Sequence, residues 1–275
     1  MSANPVHTFS FPARAARQNM RAIALNTDEH EIWQSLGDAI WPDVEAVYRR
    51  AGKRLPGLDG ILRLPLDALP AVARTPELEA TDDHALSECL QAALDLLSGV
   101  WPAARREVRY FVRAVASGQM TAGRQSSGSS VSHPFAIRVD FCPDDPLHLL
   151  ADALVHEAAH VKLRLAGSVA TFCIPEDDQR MHHPWRPDPR PLSAMFVACH
   201  AFVAVHGFHA RRHATGMAAD DCVEAGLRPE VAQALATLLA ASGLTDAGRS
   251  FAEMLASEFE ANCRIVGARA RGFSQ

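Results

Sequence analysis

The pentad His156-Glu157-Ala158-Ala159-His160 constrains this chain more than any other feature, because it falls inside a stretch of helical period. Asp145-Pro146 offers a cap followed by proline at the first helical position, and Gly167 offers a stop. The pattern predicts a helix from Pro146 to about Ala166, with Leu147, Leu150, Leu154, Val161 and Leu165 as its buried stripe. Residues four apart lie on one helix face, one turn from each other. Two imidazoles at that spacing can hold one metal ion. Glu157 is rotated by ~100° from His156, so it can meet a metal-bound water or stand behind the ligands. The plain alternative is a set of polar residues on an amphipathic helix. Val155 and the Ala158-Ala159 pair make the surroundings apolar and tight, which favours a buried metal site.

The rest of the chain is also mainly helical by period. Helices are predicted over His30–Ala51, His84–Val100, Pro102–Ser117, Pro189–Arg212, Pro229–Ser242 and Ala247–Ala268. Leu55–Pro76 reads as a loop with short turns, and Gly118–Ser132 as a flexible polar segment. Phe135–Phe141 alternates apolar and polar residues and is the best strand. The expected fold is therefore mainly α with a small β element, in which a helical domain carries the pentad. Residues 1–80 are expected to form an N-terminal arm and helical segment, and 81–275 a helical metal-binding catalytic domain. One continuous domain is the alternative.

Composition narrows the function classes. Apolar residues make up 48% and the net charge is -5, which permits a sizeable core and argues against a nucleic-acid binder. No close C-x-x-C pair exists among Cys89, Cys142, Cys173, Cys199, Cys222 and Cys263, so reduced thiols in a cytoplasmic protein are expected. The first residues lack the apolar stretch of a secretory signal. Arg14, Arg17 and Arg21 read as a solvated basic arm. No run is expected to approach the ~20 apolar residues of a membrane span.

A helical pair of histidines needs at least one more ligand. His200 sits in the apolar run from Ala194 to Val205 and is the first choice, with a satisfied core histidine as the alternative. His206 and His209 lie nearer the polar end of that helix. Glu258 would serve a Glu-type zinc protease. His182-His183, beside Pro184-Trp185, reads as a solvated or locally bonded pair.

Several stretches together resemble a known family. They are Ser127-Gly128-Ser129-Ser130, Ala153–His160 with Lys162-Leu163, Pro184–Leu192, and His200-Ala201-Phe202. Val100-Trp101-Pro102 and Glu107-Val108-Arg109 add to the likeness, which covers roughly Leu86 to His209. In combination they resemble the HExxH-motif peptide-modifying enzymes encoded with ribosomally made natural products. The resemblance implies an iron(II)- and 2-oxoglutarate-dependent oxygenase that hydroxylates a side-chain β-carbon of a precursor peptide. The motif by itself would point to a zinc peptidase acting on a peptide.

Chemistry can be matched to residues for both readings. An oxygenase needs a metal with open positions and a cation for the far carboxylate of 2-oxoglutarate. Arginine pairs bidentately with carboxylates, and Arg186 and Arg190 stand in a proline-stiffened segment between the two histidine-bearing helices. Ser129 and Ser130 could donate to the same carboxylate, and Trp185 could wall the pocket. The metal ligands would be His156, His160 and His200, with Glu157 as a ligand or a base behind them. In the peptidase, His156 and His160 would bind zinc and Glu157 would activate water. The H-x-x-G-x-x-H continuation of metzincins is missing from His160 onward, over Val161–Ala166, while Glu258 and Glu260 keep a Glu-type site open.

Overall fold

The computed structural model of the protein describes residues 30–69, 79–121, 123–167, 170–175, 179–217 and 222–272. The basic arm with Arg14, Arg17 and Arg21 lies outside the described residues. In chain order the elements are α1 His30–Ala51, β1 Lys53–Arg54, β2 Leu62–Arg63, α2 Asp83–Val100, α3 Pro102–Phe111 and β3 Ala114–Ala116. Then come β4 Ser126–Ser129, β5 Ala136–Asp140, α4 Leu147–Gly167, β6 Arg180–His183 and β7 Arg186–Pro191. Three long helices close the chain: α5 Leu192–Ala214, α6 Cys222–Leu239 and α7 Asp246–Gly272. The fold is mainly α with a small β element.

Local chemistry explains most of these bounds. Asp82 caps α2, its carboxylate accepting from the backbone N–H groups of His84 and Ala85 at 2.9 and 3.2 Å. Pro102 opens α3 as expected, but the helix stops at Phe111 instead of running to Ser117. The β-branched Val112 and Val115 favour extended backbone. Ala114–Ala116 becomes a central strand, parallel to β2 on one side and β5 on the other.

The sheet order is β1-β2-β3-β5-β4, with β4 antiparallel to β5 at the edge. The Gly/Ser tract expected to be a flexible loop thus forms a strand. Gly123, at φ +73°, makes the turn that leads into it. Its N–H donates to Asp145 Oδ1 at 2.7 Å, so the aspartate expected to cap α4 ties down this turn. Strand β5 alternates apolar and polar residues, and all five are buried. Its polar side chains satisfy each other: Arg138 Nε donates to Asp140 Oδ2 at 2.7 Å.

Between α4 and β7 lies β6, which pairs with β7 as an antiparallel hairpin. Proline removes a ladder donor and belongs on edges. Both strands of a two-stranded sheet are edges, so Arg186-Pro187-Asp188-Pro189-Arg190-Pro191 can be extended. Helix α6 begins at Cys222 and continues through Pro229, where a start was expected.

The core has two parts. Val44 and Tyr48 of α1 and Leu55, Ile61 and Leu62 share one cluster with α2, α3, β3, β5 and α4. Strand pairing and core packing therefore continue across the boundary drawn at residue 80. The second cluster joins α5, α6 and α7 through Phe196, Val203, Leu235, Leu238 and Phe251. Helix α5 spans 23 residues and is apolar enough to cross a membrane, against the expectation of no such run. About 67% of its apolar window is buried within the protein. It is a core helix, packed on α4, α6 and α7.

Candidate metal centre

Helix α4 puts His156, Glu157 and His160 together. One ligand atom from each lies within 4.8 Å of the others. The His156 and His160 ring centroids are 4.5 Å apart with planes at 86°. Two edge-on imidazoles at this separation leave their ring nitrogens free to converge on one ion.

The donor set fits a metal. Burial first, then the nearby His156, Arg164 and His200, hold the His160 pKa well below the ordinary histidine value. A neutral imidazole is the form that ligates. His160 Nδ1 is buried without a hydrogen-bond partner. An orphaned buried nitrogen is costly unless something meets it.

His200 comes from α5 and lies close enough to His160 to affect its protonation. It stays outside the compact trio. Burial above all, with Lys162, pushes its pKa down to about 3, against the hydrogen bond to the Ala159 backbone. That bond fixes the ring against α4, while its Nδ1 is buried and unpartnered. The arrangement suits a histidine oriented from behind for ligation.

These depressed pKa values have a consequence for stability. His160 and His200 stay neutral in the folded protein, where an unfolded histidine titrates near pH ~6.5. The unfolded chain then binds more protons, so stability is lost as pH falls below that value, down toward the folded pKa of about 3. The urea midpoint of metal-free protein should be lower at pH 5 than at pH 7. An equal or higher midpoint at pH 5 would contradict this assignment.

Glu157 is 1% exposed and held from the sheet side. Ser127 Oγ donates to its Oε1 at 2.8 Å and Ser129 Oγ to its Oε2 at 2.6 Å. Both serines lie on β4 two residues apart, so they face the same way. Arg164 Nη2 donates to the Ser129 carbonyl at 2.9 Å, locking β4 to α4. Ser129 is thus engaged with Glu157, and Ser130 pairs with Ser132 at 2.8 Å. Neither lines the cavity described next. Ser127 was missed, although serines at period two opposite a buried carboxylate were a usable signal.

Beside the histidines is a cavity of about 570 Å³. Its lining includes His156, His160, His183, Trp185, Arg186 and Arg190. Arg186 and Arg190, the arginines expected to serve a carboxylate, therefore line the same cavity as His156 and His160. Trp185 stacks on Phe202 at 3.9 Å, and Phe202 meets His156 edge-on at 5.1 Å.

The other candidates have separate partners. His206 Nε2 pairs with Glu224 at 3.1 Å, and His209 Nε2 with Asp152 at 2.9 Å. Glu258 lies among Lys162, Glu107 and Arg211, and burial raises its pKa. Glu260 is exposed. His182 is exposed, whereas His183 is 8% exposed and lines the cavity. Compared with known proteins, the chain matches no family model and no curated sequence.

Proposed function

We propose that this protein is an iron(II)- and 2-oxoglutarate-dependent oxygenase that hydroxylates a side-chain β-carbon of a ribosomally made precursor peptide. One observation carries the reading: Arg186 and Arg190 line the same cavity as His156 and His160. A paired cation site beside a metal suits a small dicarboxylate cosubstrate.

His156 and His160 would hold the iron, with His200 as third ligand. When bound, the metal would supply oxygen activation, with 2-oxoglutarate as the electron source. The protein's own groups do the rest. Arg186 or Arg190 anchors the far carboxylate. The Trp185–Phe202 stack shields the histidines from water on one side. Ser127 and Ser129 hold Glu157 as an acceptor of two hydroxyl donors, so it fixes the position of α4 against β4. The free thiols Cys89, Cys142, Cys173, Cys199 and Cys263 accord with a reducing cytoplasmic setting.

A zinc peptidase is the second reading, favoured by the nearness of a Glu157 oxygen to both ring systems. In it Glu157 would have to release its serine partners to activate water. Glu258 sits among other charges instead of completing the trio.

Anaerobic loading with iron(II) and 2-oxoglutarate, then addition of oxygen and the precursor peptide, separates the two. The oxygenase should add one oxygen to the peptide and release succinate in equal amount. Arg190→Ala should raise the 2-oxoglutarate KM by about tenfold or more through loss of a charge-assisted bond. Cleaved peptide under zinc, with no dependence on oxygen, would refute the proposal.

A further inference from the structure

The hairpin β6–β7 brings a third donor to the arginine wall. Along β7 the side chains alternate, so Arg186, Asp188 and Arg190 share one face and Pro187, Pro189 and Pro191 the other. Across the hairpin His183 is the register partner of Arg186, and Met181 that of Arg190. His183 is 8% exposed and lines the cavity with both arginines. Its Nδ1 is buried with no hydrogen-bond partner. Its neighbour His182 is exposed, so the two histidines of the pair differ in kind.

Two buried nitrogens without a hydrogen-bond partner, His183 Nδ1 and Arg190 Nε, lie behind this wall. Arg190 Nε lies 3.2 Å from Asp188 Oδ2, but its geometry makes no hydrogen bond. Burial first, then the Arg186 and Arg190 charges, lower the His183 pKa against the pull of Asp188. The ring is therefore a neutral imidazole that can donate one N–H. Two guanidinium groups and one imidazole donor converge on a cavity that also holds the metal-binding histidines. An anion in the cavity can accept from the outer guanidinium nitrogens and from the imidazole N–H, which an apolar side chain cannot.

We infer that His183 is a carboxylate-anchoring residue, donating together with Arg186 and Arg190 to the far carboxylate of a dicarboxylate ligand. The inference rests on the cosubstrate role proposed for this cavity. It makes His183 a determinant of selectivity for dicarboxylates over monocarboxylates of the same length. A site built around donors discriminates strongly against a ligand that leaves those donors unpaired.

The test uses full-length protein loaded anaerobically with iron(II). Calorimetry gives the Kd for 2-oxoglutarate and for 2-oxopentanoate, which carries a methyl group in place of the far carboxylate. Trp185 fluorescence provides a second binding signal, and metal analysis gives iron content. His183→Ala should weaken 2-oxoglutarate about tenfold or more, leaving 2-oxopentanoate and iron content unchanged. His183→Asn, which keeps a donor, should recover part of the loss, and His182→Ala should match the unaltered protein. An unaltered 2-oxoglutarate Kd in His183→Ala would overturn the inference and leave the oxygenase reading standing. Equal weakening of both ligands would mean a packing role, and loss of iron would make the ring a metal ligand; either overturns it. If the unaltered protein binds no 2-oxoglutarate, the oxygenase reading falls, and the anchoring role falls with it.

Discussion

Replacing His160 with alanine should give a folded protein that neither retains a metal nor modifies its peptide. His160 and His156 stand one turn apart with ring centroids at 4.5 Å, so under the proposed function each would supply half of a helical chelate. Residues standing behind ligands typically change metal affinity by ~10–100-fold, and loss of a ligand should exceed that range. The fold should survive because the ring brings a buried, unpartnered Nδ1 into the core. Removing it leaves a void but also removes an unsatisfied polar atom. Metal analysis after dialysis, with thermal unfolding as the folding control, tests this. Full occupancy in the folded variant would mean that the ion sits elsewhere.

Asp140→Ala should cost about 3–5 kcal/mol of stability, the range for breaking one side of a buried ion pair. Asp140 is 1% exposed and serves three donors. Its Oδ1 accepts the Gly118 N–H at 2.7 Å, and its Oδ2 accepts Arg138 Nε at 2.7 Å and Ser126 Oγ at 3.2 Å. The alanine variant strands the Arg138 guanidinium inside the sheet. It also frees β4 at Ser126, one residue before the serine that holds Glu157. Urea unfolding should show a lower midpoint with little change in slope. Exchanging both Arg138 and Asp140 for apolar residues should recover much of the loss. A loss below about 1 kcal/mol in Asp140→Ala would mean that water reaches the guanidinium.

The helices were legible because their signals are local. The period around His156, the proline at 102 and the apolar stripe of α2 each lie within a few turns of chain. The bounds of α1 match the predicted His30–Ala51 in full. Strands were harder to read. Ala114–Ala116 is an extended segment only because β2 and β5 pair with it from distant parts of the chain. Glycine and proline have poor strand propensity, so β4 read as a loop and β7 as a loop running into a helix from Pro189, whereas that helix begins only at Leu192.

The candidate site divides along the same line. The i, i+4 spacing by itself determined that His156 and His160 would share a face, because helix geometry follows from the chain alone. Chain order placed Arg186 and Arg190 between the His156–His160 segment and the His200 segment. Only tertiary structure decided which remaining polar residues point where. Packing turned Ser129 toward Glu157, gave His209 to Asp152 and His206 to Glu224, and set His183 in the arginine wall. The first three of these depend on partners 18 to 57 residues away in sequence, for which no local pattern exists. Burial then decides them, since each polar group taken from water must find a partner in whatever the fold brings near.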